Sequence, residues 1–347
     1  MQVSDLASEG FDKTRIEKLI NRIQDNTYKR IHSVLIVRNN KLVLEEYFPG
    51  FTYNWSGYKF QGDRINFGRD IPHNLASVTK SITSTLVGIA IDQGCLKSVD
   101  RAVFDYFPTY AHLKTAEKEK ITIKHLLTMS SGFEWNEWEY SLSDIRNDLI
   151  QFCMVNDPPG YILGKDVCHD PGTTFYYNSA GINLLGEIIK HASGLNAEKF
   201  AEQYLFTPIG SNSAEWKMLT PEIVFTSGDL KLTPRDMAKI GFLFLNNGKW
   251  NGEQILSPKW IAQACKEQIS LRDNPYRNRY GYGYSWWLKT YTCDATTVNS
   301  CFASGWGGQK IHLFPDLEMI VVFTGGNYAN TEPCDEILTK YILPAVL

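Results

Sequence analysis

Residues 77–91 read Ser77-Val78-Thr79-Lys80-Ser81-Ile82-Thr83-Ser84-Thr85-Leu86-Val87-Gly88-Ile89-Ala90-Ile91. The nearly unbroken run of apolar and small side chains predicts a buried helix. Ser77 and Lys80 stand at i and i+3, on one helix face, so the amine can lie against the hydroxyl. The positive end of the helix dipole at Ser77 favours an oxyanion forming beside it. Together these features make a nucleophile of an ordinary serine. The plain alternative makes Ser77 an N-cap and lets Lys80 snorkel to water. A second Ser-x-x-Lys, Ser56-Gly57-Tyr58-Lys59, lies in the Gly- and aromatic-rich stretch 51–60, with no apolar periodicity to hold its lysine.

The 347 residues around this run are enough for one domain, 1–347, with a sizeable core. A formal net charge of −3 without a basic stripe argues against a nucleic-acid partner. No stretch approaches the roughly 18 apolar residues of a membrane span. Met1 to Leu6 has neither a basic n-region nor an apolar h-region. The chain is therefore expected to be cytoplasmic, or periplasmic and exported if a signal peptide has been removed. Seven cysteines are an odd number without metal-type spacing. The histidines are scattered, with no His-Glu-x-x-His, so neither metal nor cofactor is expected. Cys95 reads as a buried thiol just after the helix. Cys293 and Cys301 flank a polar loop and could bridge in an exported protein, a pairing that spacing alone leaves open.

Outward from the central helix, residues 10–24 predict an amphipathic helix. Strands at 33–37 and 42–47 are joined by Arg38-Asn39-Asn40-Lys41, a hairpin turn. Residues 100–225 are mostly helical pieces, and a further helix covers 234–246. The C-terminal part predicts strands at 283–288, 310–314 and 319–324, closed by a helix at 333–343. Strands at both ends of a helical middle predict an α+β fold with one antiparallel sheet. An α/β lobe (about 1–76 and 230–347) then carries a helical lobe (about 77–229).

Two further segments bear on the chemistry. Asp170-Pro171-Gly172-Thr173-Thr174-Phe175-Tyr176-Tyr177-Asn178-Ser179 is a turn feeding an aromatic segment. A tyrosine there could relay protons beside the lysine, or simply pack as a wall aromatic. Ala303-Ser304-Gly305-Trp306-Gly307-Gly308-Gln309 is Gly-rich and lets backbone N–H groups approach a carbonyl, unless it is an ordinary bend. Trp135, Trp138, Trp286 and Trp287 read as pocket walls or core. His125 reads as a structural helix residue, and His73 as a loop residue or a pocket lining.

Ser77-x-x-Lys80, Ile121-Thr122-Ile123-Lys124-His125-Leu126-Leu127-Thr128-Met129-Ser130-Ser131-Gly132, Pro171-Gly172-x-x-Phe175-x-Tyr177, Leu232-Thr233-Pro234-Arg235-Asp236-Met237-Ala238 and the segment 251–258 occur in that order. The combination resembles the serine β-lactamase and penicillin-recognising superfamily. Within it, the chain resembles the class C-related branch of esterases, DD-peptidases and 6-aminohexanoate-oligomer hydrolases. The resemblance implies a five-stranded antiparallel sheet with flanking helices and an inserted helical lobe. It implies Ser77 as nucleophile, Lys80 and Tyr177 as the proton-transfer pair, and the N–H groups of Ser77 and Trp306 as the oxyanion hole. Ser179, Ser304, Gly305, Trp135 and Trp138 are the candidate substrate contacts. A literal Tyr-x-Asn begins at Tyr176, one residue from the position set by Pro171-Gly172.

Departures from the pattern narrow the expectation. Ala303 stands where β-lactamases commonly carry a lysine, and no Glu-x-x-Leu-Asn is present. Hydrolysis of ester or amide bonds in small substrates is therefore expected, with weak or no β-lactamase activity. The alternative is a penicillin-binding or sensor-type protein that acylates with little turnover. Oligomeric state stays open.

Overall fold

The hairpin read at 38–41 forms from strands Ile31–Arg38 and Lys41–Tyr47. Asn39 and Asn40 both take positive φ, 49° and 64°, as a tight hairpin turn requires. The computed structural model describes residues 2–271, 280–293 and 295–347. On its other side Ile31–Arg38 pairs with Met319–Gly325, and the sheet continues through Gln309–Phe314, Thr296–Gly305 and Trp287–Cys293. Two-residue strands Gly281–Tyr282 and Ile269–Ser270 extend one edge; Gln2–Val3 adds to the other in parallel.

Among the described residues the sheet has nine strands rather than the five expected. Three are two-residue edges, too short for alternation to reveal. The predicted strand at 283–288 is displaced, and pairing resumes at Trp287. Ser285 takes positive φ (59°), and its N–H bonds to Leu127 O at 2.8 Å, which bends the chain out of the ladder.

Alternation sends side chains to two cores. From Ile31–Arg38, Leu35 and Val37 face the central helix and its neighbours, while Val34 and Ile36 face the helix Lys13–Gln24 and the C-terminal turns. Val78–Asp92, the helix predicted from the opening run, is buried on every side except near its C-terminus. It packs against Ser179–Ser193 and the strands Thr296–Gly305 and Gln309–Phe314. Val78, Ile82, Val87 and Ile89 each cost about 0.5 kcal/mol in helix propensity. Full burial of each returns about 1.5–3 kcal/mol, so packing decides the conformation. Gly88 is required because a Cβ there would run into the Trp260 ring.

The aromatic stretch 51–60 proves to be part of a hairpin, Pro49–Tyr53 with Gln61–Asn66. The Cys293–Cys301 bridge does not form; Cys301 pairs with Cys265 across a Cα separation of 5.6 Å. In the strand register Cys301 opposes Leu288 and Cys293 opposes Thr296, about 17 Å apart along the ladder. The two side chains also face opposite cores. Among the described residues no helix is long and apolar enough to cross a membrane.

Candidate active site

A short turn delivers Ser77 to the helix. Leu75 N–H bonds to Leu230 O (2.8 Å), and Ala76 N–H to Asn74 Oδ1 (2.8 Å). Asn74 Nδ2 is in turn tied to Asp229 at 2.9 Å. Ala76 is held at φ 45°, a left-handed conformation costing about 1–3 kcal/mol in a non-glycine residue. Ser77 itself has helical φ and ψ, and its side chain makes no capping bond. Ser77 stands at the N-cap position, but its hydroxyl is not spent on capping. Its Oγ accepts a hydrogen bond from Lys80 Nζ at 3.0 Å.

Lys80 does not snorkel; it is only 3% exposed. Desolvating its side chain is offset by Ser77 Oγ, by Ser227 O at 2.6 Å, and by the Tyr177 ring, whose centroid lies 5.0 Å from Nζ. Tyr177, not Tyr176, meets the lysine. Tyr176 is 42% exposed, with its ring towards His169. Trp287 stacks on Tyr177 (17° between planes) and Trp138 packs at 5.2 Å. Asn178 caps the helix Ser179–Ser193 through Gly181 N–H. The asparagine of the literal Tyr-x-Asn is thus committed to the fold.

These groups open into a cleft of about 760 Å³. Ser179, Ser304, Gly305, Trp306, Trp138 and Trp287 line it with Ser77, Lys80 and Tyr177. Gly305 sits so close to the turn before Ser77 that a Cβ would run into the Leu75 carbonyl oxygen. That approach brings the backbone at Trp306 to the Ser77 end of the cleft. The Trp306 ring is wedged among Phe60, Tyr328 and Tyr53 at centroid distances of 4.8, 5.1 and 6.3 Å. The hairpin at 49–66 thus buttresses the Gly-rich segment.

Trp135 is a correction. It is 2% exposed, stands outside the cleft wall, and donates its Nε1–H to Glu137 at 2.6 Å. Trp286 is core, packed on Phe244. His73 is buried against Phe67 rather than lining the cleft, and His125 completes a capping box with Thr122.

Of the charged groups lining the cleft that escaped the sequence reading, two bond to candidate site residues. Glu137 accepts from Ser179 N–H and Ser179 Oγ, each at 2.9 Å. A lysine enters this region from the adjacent strand, where Lys310 is in register with Ser304. Lys310 Nζ donates to Ser304 Oγ at 2.8 Å and pairs with Glu332 at 3.0 Å. Burial pulls the Lys310 pKa down, but Glu332 outweighs it and holds the ammonium above its usual range. The sequence signal was available only to a reader who already knew the strand register.

The chain is 24% identical to 6-aminohexanoate-dimer hydrolase of Paenarthrobacter ureafaciens, over 89% of this chain and 75% of that protein. Its fold matches a family VIII carboxylesterase (TM-score 0.73, 16% identity, 99% of this chain and 98% of that one). It also matches a penicillin-binding protein from Bacillus halodurans (TM-score 0.70, 18% identity, 94% and 99%). The Beta-lactamase family model matches residues 29–337, so a serine and lysine joined at the mouth of a buried helix here sit in a chain that belongs to the Beta-lactamase family.

Proposed function

We propose that this cleft hydrolyses ester or amide bonds of small substrates through an acyl-enzyme on Ser77, with little or no β-lactamase activity. The observation that carries the reading is the 3.0 Å contact between Lys80 Nζ and Ser77 Oγ, made in an open cleft beside Tyr177. Ser77 Oγ attacks the substrate carbonyl carbon, and its proton passes to the Lys80–Tyr177 pair. Negative charge moves to the carbonyl oxygen, which the N–H groups of Ser77 and Trp306 receive. Collapse breaks the ester or amide bond, and Tyr177 returns the proton to the leaving alcohol or amine. Water then attacks the acyl-enzyme by the reverse route and frees Ser77. The kinship with 6-aminohexanoate-dimer hydrolase supports amide as well as ester bonds. β-Lactam carboxylates are disfavoured because Lys310 already pairs with Glu332, and a newcomer must displace that partner.

The test is intact-protein mass spectrometry during turnover of p-nitrophenyl acetate. A transient acetyl group mapped to Ser77, with many product equivalents released, is the expected result. A stable adduct after one equivalent would replace turnover by sensor-type acylation. Turnover of this ester with no adduct on Ser77, and no loss in Ser77→Ala, would overturn the assignment.

Gly305→Ala tests the oxyanion hole. The new methyl pushes the strand Thr296–Gly305 off Leu75 and takes the Trp306 N–H with it. kcat is expected to fall by about 10²–10³-fold, as for loss of one oxyanion donor. Steady-state kinetics beside a urea melt separates this from unfolding.

A further inference from the structure

The helix Asp148–Met154 has one face in the core and one in the cleft. Phe152 is fully buried on the first. Leu149, Ile150, Cys153 and Met154, spaced i, i+1, i+4 and i+5, fall on the second, and all four line the cleft. Leu142 and Trp138 extend this apolar wall. The Cys153 thiol belongs to it chemically, since burial pushes its pKa up to about 11 and keeps it neutral. The helix is fixed in place. Asp148 accepts from Lys165 at 2.7 Å, Tyr161 OH at 3.0 Å and Asn136 N–H at 2.7 Å.

Charges lining the same cleft already have partners. Lys217 pairs with Asp229 at 2.9 Å, Lys310 with Glu332, and Glu137 takes the Ser179 and Trp135 donors. The stripe from Leu149 to Met154 runs about 7.5 Å along the helix axis, enough to support a chain of several methylenes.

We infer that the helix Asp148–Met154 is the floor of a chain-binding channel, so the substrate carries an unbranched, uncharged alkyl or acyl chain of medium length. This rests on the hydrolase reading above. It goes beyond it by naming the chain and the residues that select it.

The experiment compares kcat/KM for p-nitrophenyl acetate, butyrate, hexanoate and octanoate. Wild type is expected to gain about fourfold per added methylene, the worth of a buried CH₂. Ile150→Asp is expected to flatten that slope to less than twofold. Ile145→Ser, at a 59% exposed apolar residue outside the cleft, is expected to keep it. A flat profile in wild type with Ser77-dependent acetate hydrolysis overturns the channel and leaves the hydrolase reading intact. A 6-aminohexanoyl ester turned over as well as the hexanoyl ester also overturns it, because a charged chain end does not suit an apolar floor. Calorimetry of N-methyl acetamide, hexanamide and octanamide with Ser77→Ala reads the channel without catalysis. If no ester is hydrolysed, affinity rising with chain length and lost in Ser77→Ala/Ile150→Asp supports the channel, and affinity independent of length overturns it.

Discussion

Ser77→Ala is expected to lower kcat for p-nitrophenyl ester hydrolysis by about 10⁶-fold, and Lys80→Met by about 10⁴-fold. The first removes the atom that forms the acyl bond. The second removes the group that touches that atom at 3.0 Å while replacing it with a side chain of similar length. Because the two act as a unit, their losses do not multiply. The double variant is expected to match Ser77→Ala alone. Lys80→Met leaves the Ser227 carbonyl without its 2.6 Å partner but fills the same buried space with an unbranched apolar chain, so it should fold. A urea melt of Lys80→Met near that of wild type, with turnover at background, is the decisive pair of readings. Lys80→Met retaining activity within tenfold would sink the proton-transfer assignment.

Acid is expected to begin destabilising the protein near pH 6.5, above the range in which ordinary carboxylates titrate. His32, His73 and His312 are all buried, and burial lowers each pKa from 6.5 to about 3. The positive neighbour Lys310 presses His312 further, and the facing imidazole of His73 does the same to His32. Folded values below the unfolded ones mean that the unfolded chain binds more protons, so stability falls as pH falls. The stability is fully present above about pH 6.5 and is lost toward pH 3. Each histidine contributes a slope of about 1.4 kcal/mol per pH unit inside that window. Three together give about 4 kcal/mol per unit, against a total stability of about 5–15 kcal/mol. Urea melts followed by tryptophan fluorescence at pH 7, 6 and 5 measure the slope directly. His312→Phe, which keeps the ring stack on Phe302, is expected to remove about a third of it. A midpoint that does not move between pH 7 and 5 would contradict the neutral-histidine account.

Local features of the site were legible from sequence because they depend on neighbours in the chain. Ser77 and Lys80 meet through helix periodicity alone, and Asn39-Asn40 specify their turn through backbone preference. The identity of Tyr177 followed from its spacing to Pro171-Gly172. What depends on pairing between distant segments was not legible. Thr296–Gly305 reads as polar and small, and becomes a central strand only because Trp287–Cys293 and Gln309–Phe314 flank it. Lys310 reaches Ser304 through that same register. Glu137 enters the cleft from a loop whose course no periodicity describes, and Trp135 looked like a wall because its burial depends on that loop. The partner of Cys301 came from the end of a helix rather than from the facing loop.

The pairing of Ile31–Arg38 with Met319–Gly325 also dictates a schedule for synthesis. The first strand emerges from the ribosome roughly 280 residues before its partner, a wait of tens of seconds at about 5–20 residues per second. Until then the nascent chain holds a hairpin with one open edge and an apolar central helix with no sheet to rest on, both invitations to aggregate. A message cut short before residue 319 would therefore yield not a smaller enzyme but a client for chaperones and proteases.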